Sequence, residues 1–217
     1  SSSMVFESTD VWPSVEGSEL EVAPPLSSYG FQKLAVEYFA RAAWDQYKLP
    51  NTILRPFNSV GIGERRALTD VEIESGNVKL AMSHVVPDLV QKVIKGQDPL
   101  HILGDGNQIR HYTYGADLAR GIVLSLEHPG ALNEDFNLST AEETSVNELA
   151  AVIWAKINGD KPLNLIHDTP FDHDVQRRSP STVKAKEILG FEATTSLSDM
   201  LDIVIPWIDD AIDQGAI

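Results

Sequence analysis

The sequence has 217 residues, enough for one substantial hydrophobic core or two small ones. Its formal charge of −15 argues against a nucleic-acid partner, because a phosphate backbone needs clustered lysine and arginine. With no cysteine it forms no disulfide, thiolate zinc site or cysteine nucleophile, and its apolar stretches are too short to span a bilayer. Hydrophobic residues at 42% and charged residues at 23% are ordinary for a globular protein. No basic and apolar leader opens the sequence, so a cytoplasmic protein is the expectation.

Residues 1–6 form a short segment that leads into a loop rich in Glu, Pro and Ser. Leu34, Ala35, Tyr38, Phe39 and Ala42 recur at helical spacing, which predicts a helix over 28–47. Residues 51–57 read as a buried strand and 58–75 as a loop. A helix predicted over 78–95 contains Pro87 near its middle, where a kink or break is expected. Residues 101–103 and 109–113 read as short strands around a tight turn at Gly104-Asp105-Gly106-Asn107. An amphipathic helix over 115–126 and a strand over 135–138 follow. Ser145 opens another helix, with Glu148 completing a capping box. Residues 163–167 are strand-like, 181–189 helical and closed by Gly190, and 196–213 a final helix carrying Pro206. Alternating strands and helices favour an α/β fold with a largely parallel sheet.

Tyr29 and Lys33 lie four apart on the first predicted helix and share a face. A phenol with a reference pKa of about 10 is a poor base at neutral pH. A neighbouring ammonium would favour the phenolate and make it usable for proton abstraction. Four other runs surround this pair in order. Ser1-Ser2-Ser3-Met4-Val5-Phe6 precedes it. Leu54-Arg55-Pro56-Phe57-Asn58-Ser59-Val60-Gly61 and Gly104-Asp105-Gly106-Asn107-Gln108-Ile109-Arg110-His111-Tyr112 follow. His173-Asp174-Val175-Gln176-Arg177-Arg178-Ser179-Pro180 comes near the end. Asp117 reads as a helix-start carboxylate rather than a catalyst. His167 and His173 lack a third ligand at metal-site spacing, so no metal is expected.

This ordering resembles the extended short-chain dehydrogenases/reductases of the NAD-dependent epimerase/dehydratase family, in their carboxyl-terminal part. The resemblance implies Ser2, Tyr29 and Lys33 as catalytic residues, with the Ser2 hydroxyl on the reacting sugar oxygen. Tyr29, Lys33, Pro56 and Phe57 would border the nicotinamide of NAD. Asn58 and Arg110 would contact a nucleotide sugar, a UDP-sugar above all, Arg110 through the planar fork that suits a diphosphate. Arg177 or Arg178 would add a second phosphate contact, although the arginine common just ahead of the Gly/His-Asp step is replaced in the run Pro170-Phe171-Asp172.

The implied fold is the later part of a Rossmann-like, doubly wound parallel sheet interleaved with a smaller α/β substrate-binding domain. Residues 1–76 would belong to the NAD-binding domain and 77–217 mainly to the substrate-binding one, with segments near 110–140 returning to the Rossmann sheet. Ser3 and Met4 stand where the 4,6-dehydratases carry an Asp-Glu pair, which points to C4 epimerisation instead of elimination. A dehydrogenase or ketoreductase on a similar sugar, or a non-catalytic binding module, are the competing expectations. The family's Gly-x-x-Gly-x-x-Gly turn does not occur in these 217 residues, so the chain alone should bind NAD poorly and would need that amino-terminal segment as a partner. Phe31, Val36, Phe39, Ala40, Ala43 and Trp44 give the Tyr29 helix a second apolar face, which in the family forms part of a homodimer bundle.

Overall fold

The computed structural model describes residues 1–64, 73–80, 84–170 and 175–217. His173 and its neighbours Phe171, Asp172 and Asp174 lie outside the described residues, as do Arg65 and Arg66. In chain order the elements are α1 (Ser28–Tyr47), β1 (Ile53–Pro56), β2 (Ser59–Val60), β3 (Ile73–Ser75), β4 (Val78–Leu80), α2 (Val85–Ile94) and β5 (Leu100–Leu103). Then come β6 (Ile109–Arg110), β7 (Thr113–Tyr114), α3 (Gly115–Glu127), β8 (Asp135–Leu138), β9 (Thr144–Ser145), α4 (Val146–Asn158), β10 (Leu165–Asp168), α5 (Val183–Leu189) and α6 (Leu197–Asp213). The mixed α/β character with parallel strand pairs agrees with expectation, and no helix among the described residues is long and apolar enough to cross a membrane.

The chain divides into two compact units. The first holds 1–59, 110–143 and 177–195. Its β1 and β8 pair in parallel, with Ile53 opposite Asp135 and Pro56 opposite Leu138. One buried cluster joins Leu118, Phe136, Leu138, Ala185, Leu189 and Phe191, which lie on or beside α3, β8 and α5. A second joins Val5, Phe6, Leu34 and Phe57. Residues 1–6 end in a 3-10 turn, Ser3–Phe6, that Ser2 caps. α1 spans the expected residues because Ser27 accepts from the Gly30 amide at its start, while Lys48 adopts the left-handed conformation (φ 54°) at its end.

The second unit holds 60–109, 144–176 and 196–217. Here β5 and β10 pair in parallel, and β3 and β4 form an antiparallel hairpin. Leu89, Val90 and Val93 of α2, Leu149 and Ile153 of α4, and Met200, Leu201, Val204 and Ile208 of α6 are buried. The Ser145–Glu148 capping box is present with both of its hydrogen bonds.

Two expectations about elements are corrected. The predicted helix over 78–95 is shorter: 78–80 form strand β4 and α2 begins at Val85. Pro87 is then the third helical residue, inside the turn whose N–H groups have no intrahelical acceptor, so it breaks nothing. The strand over 101–103 does not form a hairpin across Gly104–Asn107 either, because its partner is β10, more than sixty residues later. Pro206 sits inside α6, which continues past it.

Candidate active site

Within the first unit the Ser3–Phe6 turn, capped by Ser2, packs against α1, the helix that carries Tyr29 and Lys33. The Ser2 side chain is buried and accepts from the Met4 amide at 3.3 Å. On α1, Tyr29 is 51% exposed, and the Lys33 ammonium stands 5.4 Å from its ring centroid. Gly30 lets these pieces approach. A Cβ there would lie 2.8 Å from the Met4 carbonyl oxygen and 2.7 Å from Pro25 Cβ. Glu7 holds the same corner by accepting from the Ser27 amide and hydroxyl.

β1 is tied to α1 from below. Arg55, fully buried, donates twice to Glu37, at 2.8 and 2.7 Å, one helical turn beyond Lys33. It also contacts Glu19 at 2.9 Å and Asp135 at 2.7 Å. Burial works against the guanidinium charge, but the Glu37 hydrogen bonds and the charges of Glu37, Glu19 and Asp135 outweigh it and raise the pKa. This anchoring presents Pro56 and the buried Phe57 at the end of β1, with the Phe57 ring 6.3 Å from that of Phe6. Ser2, Tyr29, Lys33 and the end of β1 therefore sit on one scaffold, built from the second buried cluster and the Arg55 ion network.

The candidate substrate residues form a second grouping in the same unit. Asn58, at positive φ (35°), accepts from Arg178 Nη1 at 3.4 Å and makes a long 3.5 Å contact to the His111 carbonyl. Arg110 and Arg178 are the charges acting on the buried Tyr112 phenol. Arg177 goes elsewhere. It donates to both oxygens of Glu143 at 2.7 and 3.0 Å and lies 6.0 Å from the Trp12 ring centre.

Arg177 thereby lines a cleft of about 320 Å³ with Trp12, His111, Glu143 and Ser179. His111 Nδ1 is 2.9 Å from the Thr140 carbonyl, which fixes the proton on that nitrogen. Ser179 Oγ, with one proton, lies between His111 Nε2 at 3.1 Å and Glu143 at 2.7 Å and donates to one of them at a time. Burial lowers the His111 pKa and keeps the ring neutral. The Ser179 hydrogen bond and the Arg177 charge hold the Glu143 carboxyl below its ordinary value.

Sequence reading passed over Gly30, Glu7, the Glu37–Arg55 pair and His111. For Gly30 a signal existed, since a glycine inside a catalytic helix start needs a packing reason. The partners of the others are eighteen to sixty-eight residues away in sequence and leave no local trace.

Tyr29 and Lys33 thus share one helix, beside the Ser2-capped turn and the end of the parallel strand β1. The chain belongs to the NAD dependent epimerase/dehydratase family, whose model matches residues 1–139. Over 185 residues it is 33% identical to a protein of Methanocaldococcus jannaschii provisionally named a UDP-glucose 4-epimerase, covering 84% of this chain and 53% of that protein. A UDP-glucose 4-epimerase of Thermotoga maritima, solved with UDP-glucose, is similar with a TM-score of 0.75 and 29% identity, covering 96% of this chain and 60% of that one. A UDP-glucuronic acid 4-epimerase of Bacillus cereus, solved with UDP-glucuronic acid and NAD, gives a TM-score of 0.77 and 26% identity, covering 97% and 60%. The chain thus spans between half and two thirds of the length of these relatives.

The family is NAD-dependent. The residues present fit the nicotinamide end of that cofactor: a half-exposed Tyr29 with Lys33 beside it, and the backbone of Pro56 and Phe57 at a strand end. The glycine-rich turn that holds the pyrophosphate does not occur among the 217 residues.

Proposed function

We propose that this chain carries the proton-transfer and substrate-side machinery of a UDP-sugar 4-epimerase. The observation that carries the reading is the Tyr29–Lys33 pair set against the Ser2 turn by the contact at Gly30. When bound, NAD would supply the acceptor and then the donor of the C4 hydride. Tyr29 takes the proton of the sugar 4-hydroxyl and returns it once the 4-keto sugar has turned over. Lys33 stabilises the charge that develops on the Tyr29 oxygen. Ser2 hydrogen-bonds the same sugar oxygen and keeps it facing Tyr29. Asn58, Arg110 and Arg178 hold the phosphate side, and Arg177 contributes if it leaves Glu143. Ser3 and Met4 offer no acid/base pair beside Ser2, which favours epimerisation over dehydration.

Two features of the whole protein belong to the same proposal. The glycine-rich NAD-binding segment has to be supplied, on this or a second polypeptide. The exposed row Phe31, Val36, Tyr38 and Phe39 on α1 is read as a homodimer contact, since an apolar helix face of this kind is stable when covered.

The test is to add the chain, joined to such a segment, to UDP-glucose and UDP-glucuronate with NAD and follow the C4 configuration by NMR. Interconversion reduced at least 10³-fold by Tyr29→Phe is expected, on the order of the loss of a general acid/base. Undiminished turnover by that variant, or a 4,6-dehydrated product, would contradict the reading.

A further inference from the structure

The cleft of about 320 Å³ lined by Trp12, His111, Glu143, Arg177 and Ser179 has no task of its own in the reaction above. Its side chains turn away from those assigned to the substrate. Arg178 reaches Asn58 and acts on Tyr112, whereas its neighbours Arg177 and Ser179 turn to Glu143 and His111. The cleft is also balanced in charge. The Ser179 hydrogen bond and Arg177 keep Glu143 ionised, burial keeps His111 neutral, and the Arg177 guanidinium cancels the carboxylate at 2.7 Å. Opposite charges this close leave little field to attract an ion.

Hydrogen-bonding capacity nonetheless remains in the walls. Among the described residues the Arg177 side chain donates only through Nη2, so Nη1 and Nε keep their N–H groups. The Glu143 side chain is 40% exposed and has lone pairs beyond those that Arg177 and Ser179 use. Trp12, Pro13 and Pro180 supply an apolar wall beside these groups. A carboxylate and a guanidinium held edge to edge can accept from one hydroxyl and donate to its neighbour, while the indole covers C–H groups. A ring with apolar faces and a rim of hydroxyls matches that pattern. The volume lies at the lower end of small-molecule sites, which begin at about 300 Å³, and so suits a single ring rather than a nucleotide.

We propose that this cleft is a second ligand site, which takes a neutral monosaccharide ring against Trp12 with its hydroxyls on Glu143 and Arg177. The site stands apart from the nucleotide-sugar reading and gives Arg177 a use where it is.

Titration of the chain with methyl α-D-glucopyranoside and methyl β-D-galactopyranoside, read by heteronuclear NMR, tests the assignment. The reporter is the indole N–H resonance of Trp12, identified by its loss in Trp12→Ala. At least one glycoside is expected to shift it saturably, with a dissociation constant on the order of 1 mM, about what so small a ligand can reach. Trp12→Ala and Glu143→Gln should each weaken the binding ~10-fold or more, as read by saturation transfer to the glycoside. Circular dichroism checks both variants, and if Trp12→Ala loses its fold, Glu143→Gln decides. A Trp12 resonance that neither glycoside shifts saturably overturns the proposal. So does undiminished binding in a folded variant, which would place the sugar elsewhere. Tighter binding of glucose 6-phosphate than of the methyl glucoside also overturns it, since the cleft would then select an anion. No step needs NAD or a nucleotide, so failure of the epimerase reading would leave this result standing.

Discussion

Gly30 shows how a single missing methyl group can determine a site. It sits between Tyr29 and Lys33, and its hydrogen faces the Met4 carbonyl, Pro25 and Glu7. Replacement by alanine sets a Cβ against the Met4 backbone carbonyl and the Pro25 ring, neither of which can rotate away. Gly30→Ala should therefore lower stability by ~1–3 kcal/mol, the usual range for overpacking. It should also displace Tyr29 from Ser2 and reduce turnover. Denaturant unfolding with an unchanged midpoint would mean that α1 is free to shift, and the contact would lose its proposed role. At this scale the sequence was informative about identity and silent about contact. Tyr29 and Lys33 were legible because helical spacing alone puts them on one face. Glu7 was not, because its partner Ser27 is reached only after the chain has turned through the loop up to Ser28, and Gly30 carried a signal without naming its partners.

Among the elements, α1 was legible from end to end, since its apolar spacing and its caps agree on the same limits. The capping box at Ser145 was equally local and equally readable. Failures occurred where a distant partner overrode a local signal. Gly104–Asn107 has hairpin chemistry, yet β5 pairs in parallel with β10 and buries Leu100 and Ile102, a gain that a turn motif does not encode. Pro87 was read as a helix break because the helix start was placed too early; moving that start to Val85 puts the proline where it is tolerated. The outer face of α1 poses the opposite question, because its apolar residues are exposed among the described residues. Phe39 is 75% exposed, and Val36 and Phe31 also face outward. Phe39→Asp should convert a dimer into a monomer with its helical content intact, as read by sedimentation velocity and circular dichroism. A wild-type protein that sediments as a monomer would remove the dimer contact from the account.

Across the whole molecule, the charge of −15 and the proposed anionic substrate are reconciled by placement. Arg110 and Arg178 act on one buried phenol, and Arg177 lies in the same unit, so cations gather locally in spite of the overall charge. Arg55 is a further cation that the acidic chain consumes internally, held by Glu37, Glu19 and Asp135 as structural glue between β1 and α1. The family and the fold class could be read from motif order, because the spacing between motifs is set by elements that the family shares. The division into two units, with the chain crossing between them several times, was less legible, since each return depends on contacts remote in sequence.

In the proposed reaction C4 is inverted by removing a hydride and giving the same hydride back, while Tyr29 handles only the hydroxyl proton. The most direct measurement is to run the UDP-sugar interconversion in D2O, with the NAD-binding segment supplied, and to examine C4 of the product by NMR. C4 is expected to keep its protium, with no net reduction of NAD. Deuterium at C4 would show that the carbon is deprotonated to solvent, and the mechanism proposed for Tyr29 and Lys33 would be wrong.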